Sequence, residues 1–147
     1  MRPLKAEQLL RYPVRLDGID VGRAVDLILD PRQGRALGID VLCRDEVHRF
    51  LPLAAAHVGE GEIRLTTEFA LLDDAGFDFY RGRTSSLRRL KGTHVARRGR
   101  DLGELRDVVV SAGGDIEAFI VQSGEDATAV PVEPGVRLDG DGRNGSG

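Results

Sequence analysis

The stretch "DGIDVGRAVDLILD" (17–30) returns eighty-one residues later as "RGRDLGELRDVVVS" (98–111). Setting Gly18 on Gly99 puts Asp20 on Asp101, Gly22 on Gly103 and Asp26 on Asp107 without a gap. One single-residue deletion then puts Gly34 on Gly114 and "GIDV" (38–41) on "AFIV" (118–121). A second brings "FLPL" (50–53) onto "AVPV" (129–132), so that Pro52 meets Pro131. Order and spacing that persist over about forty residues are the mark of an internal duplication.

The punctuation of each copy is that of antiparallel strands. A turn at Asp17-Gly18 leads into the apolar run "VDLILD", and "DPRQG" follows, where Pro31 presets φ and Gly34 accepts a positive one. "ALGIDVL" alternates with period two at Leu37, Ile39 and Val41. "RFLPLAAA" and "IRLTT" complete the first copy, and "LRDVVVS", "IEAFIVQ" and "TAVPVEPGVRL" repeat the plan. Short strands joined by tight turns, about five per copy, leave no room for a long helix. Pro52 and Pro131 interrupt apolar runs and therefore mark a strand start, an edge or a bulge, since a central strand would lose a ladder bond there.

These segments predict a mainly all-β protein. A lead-in covers 1–12, a first repeat 13–68, a connector with a short helix 69–90, a second repeat 91–138 and a disordered tail 139–147. "TSSLRRLKG" carries a hydroxyl cap before Leu87 and Gly92 after Lys91, enough for one or two helical turns. Phe69, Leu71, Leu72, Phe77, Phe79 and Tyr80 make the connector the most aromatic part of the chain, suited to cover an open barrel end. The tail "DGDGRNGSG" has no apolar residue. A copy of 50–60 residues has a marginal core of its own. The two are therefore expected to pack on each other with pseudo-two-fold symmetry.

Taken with their spacing, "DGIDVGRAVDLILDPRQGRALGIDV", "RFLPLAAAHVGEGEIRL" and "RGRDLGELRDVVVSAGGDIEAFIV" followed by "AVPV" resemble the PRC-barrel family. The family is named for the cytoplasmic domain of the photosynthetic reaction-centre H subunit, and a related barrel ends a bacterial ribosome-maturation factor. The resemblance covers 13–67 and 90–138. It implies two small PRC-type β-barrels in tandem and a generally non-enzymatic module that binds proteins or helps assemble complexes.

Residues that could carry chemistry read as structural. Asp20, Asp26, Asp30, Asp101 and Asp107 recur beside Gly at turns and strand edges, where Asp bonds backbone amides. The Gly-to-Asp spacing lacks the glycine density, the Lys and the helix of a phosphate loop. His48, His57, His94 and Cys43 keep no familiar metal spacing. No catalytic group, cofactor or metal site is expected, and the chain is read as no enzyme. A single cysteine suits a reducing, cytoplasmic setting. No apolar run approaches the roughly 20 residues of a membrane span.

Charge is segregated. Arg81, Arg83, Arg88, Arg89, Lys91, Arg97, Arg98 and Arg100 fall in a stretch without an acid, whereas 101–142 hold ten acids against Arg106 and Arg137. The basic stripe can lie against the acidic second copy, meet an acidic protein partner, or track a phosphate backbone. The remainder of the chain carries a net charge of −11, which disfavours nucleic acid. The expected function is a cytoplasmic adaptor or assembly module for an unidentified protein partner. An RNA- or ribosome-associated assembly factor using the basic connector is the alternative, and homo-oligomer formation stays open.

Overall fold

A computed structural model of the protein describes residues 3–73 and 85–138. The expectations for Phe77, Phe79, Tyr80, Arg81, Arg83 and the tail 139–147 lie outside them. The fold is mainly β, as expected: two sheets, each with a half-barrel curl, and few helical residues.

The elements follow in order as β1 (Leu4–Lys5), α1 (Ala6–Leu9), β2 (Pro13–Leu16), β3 (Ile19–Asp30), β4 (Arg35–Cys43) and β5 (His48–Pro52). Next come β6 (His57–Val58), β7 (Ile63–Leu65), β8 (Ser85–Ser86) and α2 (Leu87–Leu90). The last are β9 (His94–Arg97), β10 (Arg100–Val110), β11 (Ile116–Ser123), β12 (Asp126–Pro131) and β13 (Val136–Leu138). The first sheet runs β5-β4-β3-β2-β7-β6 with β8 added on β3. The second runs β12-β11-β10-β9-β13 with β1 added on β10.

The strand built from the repeated phrase is longer than the short run expected from "VDLILD". β3 spans 12 residues and β10 spans 11. Its length was hidden because a bulge breaks the alternation. The β3–β4 register shifts between Ala24 and Asp26, so Ala24 and Leu27, three apart, both enter the main core. The β10–β11 register shifts likewise between Leu105 and Asp107, and Leu105 and Val108 face the same core. Before the bulge each long strand pairs with β2 or β9 through a two-residue turn. Both central residues of that turn have positive φ, Asp17 (52°) with Gly18 (79°) and Arg98 (51°) with Gly99 (84°), the twist that suits a tight hairpin.

Beyond the bulge the sheets exchange arms. Leu4 and Lys5 pair with Val110 and Val109 of the second sheet; Ser85 and Ser86 pair with Leu29 and Ile28 of the first. Every partner is displaced by 81 positions. The turns meet across the same axis: Ala36 N donates to Gly114 O at 2.7 Å and Ile116 N to Gly34 O at 2.8 Å. Reciprocal contacts of this kind define a pseudo-two-fold axis between the sheets. One core cluster runs across it, joining Leu27, Ile39 and Leu51 to Leu105, Val108 and Phe119. The symmetry ends at the closing strands, since β7 runs parallel to β2 and β13 antiparallel to β9.

Candidate functional site

The recurring Gly and Asp positions are the joints of this arrangement. Asp20 Oδ1 accepts from Gly22 N at 3.2 Å, and Asp101 Oδ1 from Gly103 N at 2.9 Å, each closing a side-chain turn at the start of the long strand. Gly103, at φ 130°, lies so close to β11 that a Cβ there would stand 2.3 Å from Gln122 O. Gly22 is tight in the same way, 2.7 Å from Leu42 O.

Asp26 and Asp107 are the buried charged residues among those described. Each reads out its own strand and the arm that crosses to it. Asp26 Oδ1 accepts from Leu27 N at 2.9 Å and from Arg88 N, in the first turn of α2, at 3.1 Å. Asp107 accepts from Val108 N at 2.8 Å and from Glu7 N, in the first turn of α1, at 3.3 Å. A carboxylate of one sheet thus holds the helix that leads into the other. Burial pushes the Asp107 carboxyl above the ordinary range, against the pull of the Val108 and Glu7 amides. Sequence alone suggested backbone bonding for these residues but not its reach across 62 and 100 positions. The one available signal was a carboxylate inside each apolar run, "AVDLIL" and "LRDVVV".

Ser86 caps α2 as expected, its Oγ accepting from Arg89 N at 3.3 Å. Pro52 and Pro131 are the last residues of β5 and β12, an edge strand of each sheet. The connector covers the first sheet only in part. Leu72 joins Ile28, Leu37 and Phe50, whereas Phe69, expected to pack across a barrel end, is 81 % exposed. The 3-10 turn Glu68–Ala70 directs Ala70, not Phe69, into the core.

The basic residues form two groups. Arg88, Arg89 and Lys91 sit on and after α2, against the first sheet; Arg97, Arg98 and Arg100 surround the β9–β10 turn of the second. All six are exposed. Arg97 Nε reaches Glu133 Oε1 at 3.9 Å, an ion pair between this stripe and the acidic half. Among the described residues Arg88, Arg89, Lys91, Arg98 and Arg100 form no ion pair.

The histidines and the cysteine do not converge. His48 Nδ1 lies 2.8 Å from Asp40 on the first sheet, and His94 Nδ1 2.9 Å from Asp101 on the second. The His94 contact, then the Gly103 amide, hold the exposed Asp101 carboxyl below its usual range. Cys43 is buried at the end of β4. No group of three His, Cys, Asp or Glu among the described residues is placed to hold a metal, and no helix among them is long and apolar enough to cross a membrane. A cleft of about 270 Å³ opens between Leu4, Leu9 and Val110 on one side and Leu53, Ala56 and Val58 on the other, with His57, Arg64 and Ser111 also on its wall.

Residues 83–142 match the PRC-barrel domain, which in general terms denotes a protein-interaction or assembly module. The match runs from β8 to β13, taking in every strand of the second sheet except β1, and covers less than half of the chain. No curated protein matches the chain.

Proposed function

We propose that this chain is a non-enzymatic adaptor with two PRC-barrel-type repeats, the first over 13–68 and the second over 91–138, that binds another protein in the cytoplasm. The reading that a duplication produced both repeats is carried by one observation. The arm pairings Leu4–Val110 and Ser85–Leu29 and the carboxylate contacts Asp107–Glu7 and Asp26–Arg88 recur at a constant offset of 81. Against catalysis stands the engagement of the recurring carboxylates by backbone amides, which leaves them little to offer a substrate. Two joined repeats can hold two partner elements at a fixed spacing. No cofactor enters this function. The test is affinity purification of the tagged chain from its own cytoplasm with and without nuclease, followed by mass spectrometry. A stoichiometric protein that survives nuclease is the expected result. Recovery of no protein above background sinks the adaptor.

The second reading, an RNA-associated assembly factor, draws on the exposure of Arg88, Arg89, Lys91, Arg98 and Arg100 without ion pairs among the described residues. It requires RNA binding that weakens steeply with salt. Reversal of charge at Arg88, Arg89, Arg97 and Arg98 without loss of RNA binding excludes it.

A further inference from the structure

β5 and β12, an edge strand of each sheet, occupy equivalent places but are finished differently. In β5, Cys43 N donates to Val47 O, so residues 47, 49 and 51 face β4 while 48, 50 and 52 turn their backbone outward. The outward groups of Phe50 are taken: Phe50 N donates to Leu72 O at 2.9 Å and Leu72 N to Phe50 O at 2.8 Å. The Leu72 side chain packs with Phe50, Ile28 and Leu37. Gly38 allows this plug, since a Cβ there would collide with the Phe50 ring at 2.4 Å.

In β12, Val132 N donates to Glu117 O and the pairing with β11 runs without a register shift. Residues 126, 128 and 130 therefore face β11, and 127, 129 and 131 turn outward. Ala129 stands where Phe50 stands and Ala118 where Gly38 stands. Among the described residues none plays the part of Leu72: β12 pairs with β11 alone, and the outward N–H and C=O of Ala127 and Ala129 carry no bond. Asp126 and Pro131 guard the two ends of this edge, and between them neither a charge nor a bulge protects Ala127 and Ala129.

We infer that the outer edge of β12 takes an extended, basic polypeptide segment of the partner as an added strand, bonded to Ala127 and Ala129. This rests on the adaptor reading and names its contact. Small side chains at Ala127 and Ala129 leave room for the incoming strand. Its charge is set by the exposed Glu117, Glu125 and Asp126, with no Lys or Arg between Ile116 and Gly135; Glu133, also exposed, is shared with Arg97. A second copy would bring the same carboxylates to the junction, and like charges facing across strands repel.

The probe is an acetylated and amidated lysine-valine-threonine-valine-threonine-lysine hexapeptide, titrated into the full ¹⁵N-labelled chain. The Ala127 and Ala129 amides are expected to shift and to exchange with solvent about tenfold more slowly when bound. The glutamate-ended counterpart binds about tenfold more weakly, by a margin that shrinks with salt. Ala129→Pro removes an outward donor and no ladder bond, and weakens binding about tenfold with the Phe119 and Val121 amides unmoved. A peptide N-methylated at its central residues makes the same test with the protein unaltered. Absence of binding, binding that leaves Ala129 unshifted, or equal binding by Ala129→Pro overturns the assignment. Protection of Ala129 that rises with protein concentration alone overturns it in favour of a second copy. A native partner held equally by Ala129→Pro overturns the edge and leaves the adaptor standing; loss of every native partner with peptide binding intact does the reverse.

Discussion

The Asp26 carboxylate and the Arg88 amide lie 3.1 Å apart across 62 positions of sequence, and Asp107 repeats the contact with Glu7 at 3.3 Å. Each carboxylate fixes an arm whose own strand is only two residues long. Such arms have almost no intrinsic stability, so the bond and the buried Leu87, Leu90, Ala6 and Leu9 behind it decide whether they dock.

Removal of either carboxylate should therefore have the same effect at two places. Asp26→Ala and Asp107→Ala each leave one buried and one part-buried backbone N–H without its acceptor, a loss of about 2–3 kcal/mol. Urea denaturation measures it, and the two values should agree within about 1 kcal/mol. A cost below about 0.5 kcal/mol at both sites would deny the carboxylates this role.

The pH dependence separates Asp107 from Asp101. Burial raises the folded pKa of Asp107 above 3.8, so the native state binds more protons than the unfolded chain between the two values. Its contribution accordingly falls as pH rises through that window. Asp101 has the opposite sign: its pKa is lowered from 3.8 by His94 and the Gly103 amide, so its contribution is present above 3.8 and fades as pH drops through the lowered value. Asp101→Asn should flatten the acid loss of stability, and Asp107→Asn should flatten the decline on the alkaline side of 3.8. Urea midpoints between about pH 2 and 6 report both slopes; an unchanged profile in both variants would contradict the assignment.

Gly99 and Gly103 belong to one phrase but differ in what surrounds them. A Cβ on Gly99 meets nothing within 4 Å, so Gly99→Ala carries only the strain of its φ of 84°, about 1 kcal/mol. A Cβ on Gly103 meets the β11 backbone at 2.3 Å, which cannot give without separating the strands. Gly103→Ala should cost about 3 kcal/mol or more and raise amide exchange in β11. Equal melting temperatures for the two variants would refute the distinction.

The turns, the edge prolines, the Ser86 cap and the shared core were legible because each rests on a local residue choice: positive φ at Gly18 and Gly99, a missing donor at Pro52 and Pro131, and a hydroxyl before Leu87. The exchange of arms was not. Leu4–Lys5 and Ser85–Ser86 are too short to show a period, and Glu7 and Arg88 meet the carboxylates through backbone amides that any residue supplies. Of the basic stripe, sequence conveyed the charge, whereas only the fold divides it between α2 and the β9–β10 turn. The open edge at Ala129 depends on Leu72 having no counterpart among the described residues, an asymmetry that the aligned prolines conceal.

The exchange of arms makes a last, strong demand on fragments. A chain of residues 1–80 carries β1 and α1, whose pairing partner is β10, and lacks β8 and α2, which complete β3. Asp26 in that fragment has no Arg88 amide to bind, and the core lacks Leu87, Leu90 and the second sheet. Residues 1–80 should show no cooperative urea transition alone, and neither should 81–147. The break between 80 and 81 cuts no described pairing, so the two fragments mixed should assemble one to one and recover a single transition. Asp26→Ala in one fragment should weaken that assembly by about tenfold or more, because the lost bond now lies between chains. Cooperative folding of 1–80 by itself would show that the first sheet does not need the arm it borrows.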